Sequence, residues 1–387
     1  MKHLALLLIA FLLGGCATTQ APPPDTSTLL SDSLFQPPKD KITTQDLFTA
    51  SPAMKEYLRS YEFRRLSGTR GGALGLIDAL YTRGQLQLEY DTTATRSAAE
   101  TFESKSGNCL SLVIMTAAFA RELGLFPTFQ TVLAGDTWTR SGELYLSNMH
   151  VNLAIGRRSG KVNGLDDTAG LLLVDFLPPE EMKGFKFRHI DEGMVEAMYL
   201  NNRAAEALSE NRTDDAYWWA RKAVVEHPEY TPAINTLGVV YQRRGQPTLA
   251  ERAYKMALAR DAQSDVTMYN LIPLLAQLGK HEESQAMAAR VATIRKVPPF
   301  HYFRSGIEAM QREDYALARD LFRKEVDRAP YYDEFHYWLG MAQLKLGETG
   351  AARAQFALAL ENSSSTGMRS KYSAKLRHLK MAKGGDL

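Results

Sequence analysis

Cys109 is the residue whose type and surroundings offer the most reactive chemistry, in the stretch KSGNCLSLVIMTAAFARELGL. Apolar residues follow at helical spacing, and Gly107 and Asn108 interrupt the helical pattern before them. Cys109 is therefore predicted in the first turn of a buried helix, where backbone N–H groups and the helix dipole favour an anion. We expect this position to lower the pKa of the Cys109 thiol and raise its reactivity, and the same N–H groups can bind an oxyanion.

A nucleophilic thiol needs a base, and the two histidines between residues 46 and 195 are His150 and His189. His150 opens the strand pattern HVNLAI, whereas His189 lies in the charged segment FKFRHIDEG. A β-strand fixes the direction of a side chain, so His150 is the predicted base.

A third group is expected to orient the imidazole of His150. Asp175 ends the apolar strand pattern LLLVDF, and a buried carboxylate there requires a partner. Asp166 and Asp167 lie in a glycine-rich turn and are expected to be solvated. The predicted catalytic set is Cys109, His150 and Asp175.

Other interpretations of these residues stay open. Cys109 can be a buried, inert thiol, His150 a structural residue at a strand end, and Asp175 a cap before the prolines. The three residue types can also bind zinc, but no C-x-x-C or H-x-x-x-H pairing accompanies them, so we predict no metal and no cofactor. A serine hydrolase is disfavoured because G-x-S-x-G does not occur.

The stretch GNCLSLVIMTAAFARELGL and the order Cys, His, Asp resemble the transglutaminase-like branch of the papain-like cysteine enzymes, in particular the core of the SirB family. The resemblance covers about residues 85–180. It implies an α+β domain with a nucleophile helix followed by an antiparallel sheet. It also implies peptidase, amidase or transglutaminase chemistry, although versions of this fold without the cysteine exist. No residue matches the family's side-chain oxyanion donor.

The N-terminal segment has the pattern of an exported protein. MKHLALLLIAFLLGGC has a basic start and an apolar run too short to span a bilayer, which is typical of a signal peptide. Its end, LGGC, resembles a bacterial lipobox, which implies acylation of Cys16. With Ala17 next, the resemblance implies the outer membrane. Residues 17–45 are rich in Pro, Ser and Thr and are predicted to be an extended tether.

The second half of the chain repeats with a period of 34 residues. Small residues recur at this spacing, one series being Ala216, Ala250, Ser284, Ala318 and Ala352. The pattern resembles the tetratricopeptide repeat, a helix-turn-helix unit. Five units are predicted at 197–230, 231–264, 265–298, 299–332 and 333–366. Residues 367–387 are predicted to be a capping helix and tail.

The fifth position of each unit is predicted to face the concave side of the repeats. These residues are Asn201, Asn235, Tyr269, Phe303 and Tyr337. Amides can bind a peptide backbone and aromatic rings supply contact area, so this row is predicted to be a peptide-binding groove. The alternative is that these residues pack against a neighbouring helix or the catalytic domain.

Together these features predict an α+β transglutaminase-like domain at 46–195 followed by an all-α tetratricopeptide solenoid at 196–366. The expected function is that of a lipid-anchored cysteine hydrolase of the cell envelope, facing the periplasm or the outside, with a protein substrate or partner on the repeats. Hydrolysis and acyl transfer stay open, as does a non-catalytic envelope scaffold. With a net charge of +2 and no dense basic patch, nucleic-acid binding is not expected.

Overall fold

The computed structural model describes residues 25–68, 71–81, 86, 88–91, 94–132, 137–141, 144–148, 150–156, 171–176, 187–295, 297–330, 332–363 and 366–381. Cys16, the first part of the predicted tether, Asp166 and Asp167 lie outside these ranges. Among the described residues, no helix is long and apolar enough to cross a membrane.

The first half begins with two short 3-10 helices, Thr26–Leu29 and Asp32–Leu34. Its α-helices are α1 (Pro52–Arg59), α2 (Tyr61–Ser67), α3 (Gly72–Tyr81), α4 (Ala98–Ser104) and α5 (Cys109–Glu122). Ser97 caps α4 reciprocally with Glu100, and Asn108 caps α5. Residues 110–120 of α5 are all buried, so this helix forms the centre of the first core.

An antiparallel sheet of four strands packs against α5. The strands are β1 (Glu89–Tyr90), β2 (Ser106–Gly107), β3 (Phe126–Val132), β4 (Thr137–Ser141), β5 (Leu144–Asn148), β6 (Val151–Gly156), β7 (Leu172–Val174) and β8 (Phe187–Ile190). The sheet has the order β7-β6-β3-β8, while β4 and β5 form a separate hairpin and β1 pairs with β2 in parallel. Apolar or alternating runs rich in strand-forming residues predict strands at 86–90, 127–134, 143–147, 150–155 and 171–176, which correspond to β1, β3, β5, β6 and β7. No such run predicts β2, β4 or β8.

The second half is an all-α solenoid of helix pairs. Its helices are α6 (Glu192–Ser209), α7 (Thr213–Glu226), α8 (Thr231–Arg243), α9 (Pro247–Arg260), α10 (Asp265–Gln277), α11 (His281–Ile294), α12 (His301–Gln311), α13 (Tyr315–Arg328), α14 (Asp333–Lys345), α15 (Thr349–Asn362) and α16 (Thr366–Met381). The turn inside each pair contains one residue with positive φ, and these residues recur every 34 positions: Asn211, Gly245, Gly279, Glu313 and Gly347. The period in the sequence therefore corresponds to a repeated helix-turn-helix unit.

Small residues stand where the paired helices approach closely. A Cβ added to Gly238 would lie 2.5 Å from the ring of Tyr254, and Gly306 has the same relation to Phe322. At two positions of the 34-residue pattern where most units have alanine, this chain has Ser284 and Glu325, and the structure gives a local explanation for each. Ser284 donates a hydrogen bond to the carbonyl oxygen of Ile272. The buried carboxylate of Glu325 accepts hydrogen bonds from the first backbone N–H groups of α12.

Residues 25–40, which we call the N-terminal strap, pack against the repeats. Leu29 and Phe35 are buried, and the Phe35 ring stacks on Tyr217 at 3.9 Å between ring centroids. Tyr241 donates its hydroxyl hydrogen to the Leu29 carbonyl oxygen, and the backbone of Lys39 donates to Asp215. The prediction of an extended tether is therefore corrected for residues 25–40. Leu29 and Phe35 are buried there, next to the aromatic side chains of Tyr217 and Tyr241.

Candidate functional site

Cys109 lies at the start of α5, and its neighbours explain why the helix begins there. The Asn108 carboxamide accepts hydrogen bonds from the backbone N–H and hydroxyl of Ser111, both at 2.9 Å, and donates to Thr95 at 2.7 Å. A Cβ at Gly107 would lie 2.6 Å from the Ser111 side chain, so the close approach of the two segments requires glycine. Cys109 is half-buried, at the helix end where a thiolate is favoured.

His150 and Asp175 are brought together by the pairing of β6 with β7. Leu153 pairs with Val174 in this antiparallel ladder, and the next step in register sets Asn152 opposite Asp175. His150 lies two residues before Asn152, so both side chains point to the same face. The Nε2 atom of His150 lies 2.9 and 3.1 Å from the two carboxylate oxygens of Asp175.

The third member of the predicted set joins this pair directly, because Cys109 forms a hydrogen bond with His150. The side chains of His150 and Asp175 are 11% and 4% exposed, so the contact is shielded from water. Burial by itself lowers the pKa of His150. The hydrogen bonds to Asp175 and Cys109, with the negative charge of both, outweigh burial and raise the pKa of His150 to about 10.

Two residues that the sequence analysis missed hold Asp175 in place. Asn152, which is fully buried, donates a hydrogen bond to Asp175 Oδ2 at 2.8 Å. The Tyr81 hydroxyl accepts a hydrogen bond from the backbone N–H of Asp175 and donates one to the Asp175 carbonyl oxygen. Asn152 could have been predicted near the site, because residues two positions apart on a strand share one face and His150 is two positions away. Nothing in the sequence predicts Tyr81, because it lies 94 positions from Asp175.

The other candidates from the sequence lie elsewhere. His189 is exposed on β8, where it pairs in register with Gln130. Cys109 is a titratable group that contacts His150, and Tyr81 is one that contacts Asp175. No group of three His, Cys, Asp or Glu in the described part of the chain has the arrangement of a metal site.

Part of the predicted peptide groove is occupied by the chain's own β4–β5 hairpin. Asn270 on α10 accepts a hydrogen bond from the backbone N–H of Tyr145 and donates one to its carbonyl oxygen, both at 2.9 Å. Asn235 accepts from Asn270 at 3.1 Å, and Tyr269 contacts the Tyr145 ring edge-on at 6.1 Å between centroids. Asn270 follows the predicted Tyr269 by one position and was not singled out from the sequence.

The remaining predicted groove residues are core residues. Asn201, Phe303 and Tyr337 are all buried; Asn201 accepts a hydrogen bond from Thr236. Phe303 packs against the rings of Phe300, Phe322 and Phe335, and Tyr337 against those of Trp338, Phe356 and Tyr372. The prediction of an open aromatic surface at Phe303 and Tyr337 is therefore replaced by packing between neighbouring helices.

No protein-family model matches the chain, and no curated protein matches it. Solved structures that are similar include MamA, with 18% identity over 43% of this chain and 91% of MamA, at a TM-score of 0.26. YrrB, described as a TPR protein with an unusual peptide-binding site, has 16% identity over 46% of this chain and 92% of YrrB, at 0.26. A thermophilic TPR protein of Thermus thermophilus has 18% identity over 46% of this chain and 98% of its own, at 0.31. TM-scores this low do not establish a shared fold. The evidence for the repeat architecture is the series of helix pairs and their spacing of 34 residues.

Proposed function

We propose that this chain is a cysteine-dependent hydrolase or acyl transferase of the transglutaminase-like type, acting on amide bonds. The observation that carries the proposal is the hydrogen-bonded series Cys109–His150–Asp175. A raised pKa of His150 favours the imidazolium at neutral pH, and an imidazolium beside a thiol favours the thiolate. Cys109 is only partly buried and lies in the first turn of α5.

In the proposed reaction, the Cys109 thiolate attacks the amide carbonyl, and first-turn N–H groups of α5 stabilise the oxyanion. With Nε2 of His150 directed to Asp175, Nδ1 is the nitrogen that donates a proton to the leaving amine. The C–N bond then breaks and leaves a thioester on Cys109. Water, deprotonated by His150, hydrolyses the thioester, whereas an amine in place of water forms a new amide.

The first test uses p-nitrophenyl acetate on the chain from Ala17 onward, because the N-terminal strap belongs to the fold. We expect a burst of nitrophenolate and an acetyl group on the Cys109 peptide by mass spectrometry. Cys109→Ala should lose both while keeping its circular dichroism spectrum, since alanine is a good helix former and little packing is lost at a partly buried first-turn position. A full burst from Cys109→Ala would refute the assignment. Adding an amine acceptor separates transfer from hydrolysis by the product that forms.

A non-catalytic scaffold is the second candidate, favoured by a cleft in the repeats. The cleft has a volume of about 430 Å³ and lies between α12 and α14, lined by Arg304, Ile307, Glu308 and Trp338 among others. It mixes charged and apolar side chains, as a protein-binding surface does. Under this alternative the repeats bind a protein partner and Cys109 is inert. Iodoacetamide alkylation of Cys109 only at the alkaline pH of an ordinary thiol would support it.

We also propose that the protein is anchored to the cell envelope through a lipid on Cys16, with its body on the periplasmic side of the outer membrane. The support is the sequence MKHLALLLIAFLLGGC followed by Ala17. Replacing Cys16 by Ser should move the protein from the membrane fraction to the soluble fraction of the envelope. A variant that stays with the membrane would point to a different anchor.

A further inference from the structure

The repeats bind the backbone of one strand in the first half of the chain. Asn270 forms a two-point contact with Tyr145 on β5, accepting from its N–H and donating to its C=O. A carboxamide has one acceptor and one donor side, so it can replace a neighbouring strand as hydrogen-bond partner. Asn235 stands behind it, accepting from Asn270 at 3.1 Å and lying 3.5 Å from the Tyr145 carbonyl oxygen.

This contact is built into the core and is not a surface encounter. Asn270 is fully buried, and Asn235 and Tyr145 are 3% and 8% exposed. The Tyr145 ring lies near the rings of Tyr269 and Phe300, on two successive units of the solenoid. Removing the hairpin would leave two buried amides without their backbone partner, which is costly, so the groove at this position is shaped for the hairpin.

The strand held in this way leads directly to the candidate base. Tyr145 lies five residues before His150, and β5 ends at Asn148 just before β6 begins at Val151. On the other side, Thr131 on β3 donates a hydrogen bond to the His150 carbonyl oxygen at 3.1 Å. His150 is therefore fixed between an anchor in the sheet and an anchor in the repeats.

We propose that Asn270, supported by Asn235, is a positioning residue for the Cys109–His150 pair, acting through Tyr145 and β5. At this position the repeats bind the β4–β5 hairpin of the same chain, so the surface around Asn270 is not open to a peptide substrate. The proposal rests on the proposed function, because it assumes that the pair is reactive.

The test measures the rate of iodoacetamide alkylation of Cys109 against pH, in the wild type and in Asn270→Ala. In the wild type, the paired thiol should react at pH 6, where an ordinary thiol is protonated. If His150 loses its position, the apparent pKa of the thiol rises, and each unit of rise lowers the rate at pH 6 about tenfold. We expect a fall of about tenfold or more in Asn270→Ala and a smaller fall in Asn235→Ala. Hydrogen exchange should quicken at the amides of residues 144–148.

Gly340→Ala is the matched control, because its Cβ would meet the Phe356 ring at 2.9 Å and disturb the repeats away from the hairpin. It should lower stability and leave the alkylation profile unchanged. If Asn270→Ala does not fold, Asn235→Ala decides. A folded Asn270 or Asn235 variant with the wild-type profile would overturn the positioning role alone. An ordinary-thiol profile in the wild type would reject both this role and the proposed function.

Discussion

The imidazole of His150 is subject to opposing influences, and their balance determines what the site can do. Burial removes water from the imidazolium and disfavours it, yet Asp175 and Cys109 supply hydrogen bonds and negative charge on two sides. Because the neighbours prevail, His150 holds its proton across the neutral range and loses it near pH 10. In the proposed reaction, a protonated His150 suits the role of the general acid that the leaving amine requires.

Asp175→Asn tests this balance at a single residue. The amide keeps the shape of the carboxylate but removes its charge, so the titration midpoint of His150 should fall from about 10 by about 1–3 units. Histidine NMR signals, assigned with a His150→Gln variant, measure the midpoint directly. The alkaline limb of any Cys109-dependent activity should move to lower pH by the same amount. A midpoint that does not move would show that Cys109 alone holds the proton on His150.

The site residues differ in how much they reveal in the sequence. Cys109 follows a Gly-Asn break in a helical pattern, and Asp175 is a carboxylate at the end of an apolar strand, so both can be predicted locally. Asn152 fits an apolar strand poorly, yet its partner is visible only once the register of β6 and β7 is known. Tyr81 contacts Asp175 from 94 residues away, and no periodicity reports such a contact.

At the scale of elements, the helices of the repeats could be predicted in type and spacing, because close approach of the paired helices demands small residues every 34 positions. The pairing of β4 with β5 and the docking of the hairpin and the N-terminal strap on the repeats could not be predicted. β4 and β5 pair with each other outside the main sheet, and the backbone of β5 is hydrogen-bonded to Asn270 on the repeats. The strap has no helical or strand period; its order comes from Leu29 and Phe35 in contact with distant tyrosines. The Pro-, Ser- and Thr-rich composition predicted an extended tether there, because composition does not report contacts with residues that are distant in the sequence.

The capped start of α5 shows how one element links the chemistry to the rest of the molecule. Asn108 caps α5 and donates to the Thr95 hydroxyl, while the Thr95 backbone N–H donates to Glu206 on α6 at 2.6 Å. Arg203 on the same helix donates to the Thr95 carbonyl oxygen. Helix α5 is therefore linked to α6 through Thr95 and also through the ion pair of Arg121 with Glu192. The hairpin that precedes His150 contacts the second, third and fourth units.

At the scale of the whole molecule, the contacts between the two halves include three junctions: the N-terminal strap, the hairpin and the Thr95 contact. Each of them carries backbone hydrogen bonds to buried or half-buried side chains, so the halves are expected to unfold together. The repeats, predicted to be a binding platform, thus use part of their surface to hold the first half of their own chain. The cleft beside Trp338 lies beyond the hairpin and remains accessible to a partner.

The junction at Thr95 should also make stability depend on pH through Glu206. Burial raises the pKa of Glu206 from 4.5 to about 7, although the Thr95 hydrogen bond and Arg203 oppose this. Below pH 4.5 the carboxyl is protonated in both the folded and the unfolded chain, and it costs nothing. Between pH 4.5 and 7 only the unfolded chain ionises, so the stability of the wild type falls, and above pH 7 the loss is complete.

Glu206→Gln removes the ionisation and keeps an oxygen that can accept from Thr95. The variant should therefore gain free energy of unfolding relative to the wild type as the pH rises from 4.5 to 7, reaching a plateau on the order of 3 kcal/mol above pH 7. Urea unfolding at a series of pH values measures this difference. Glu210→Gln, at the C-cap position just beyond this helix, also removes one negative charge but leaves the Glu206 carboxyl in place. A constant difference at all pH values would mean that Glu206 does not ionise on unfolding as described. A loss of stability above pH 7 would mean that its ion pair with Arg203 outweighs its burial.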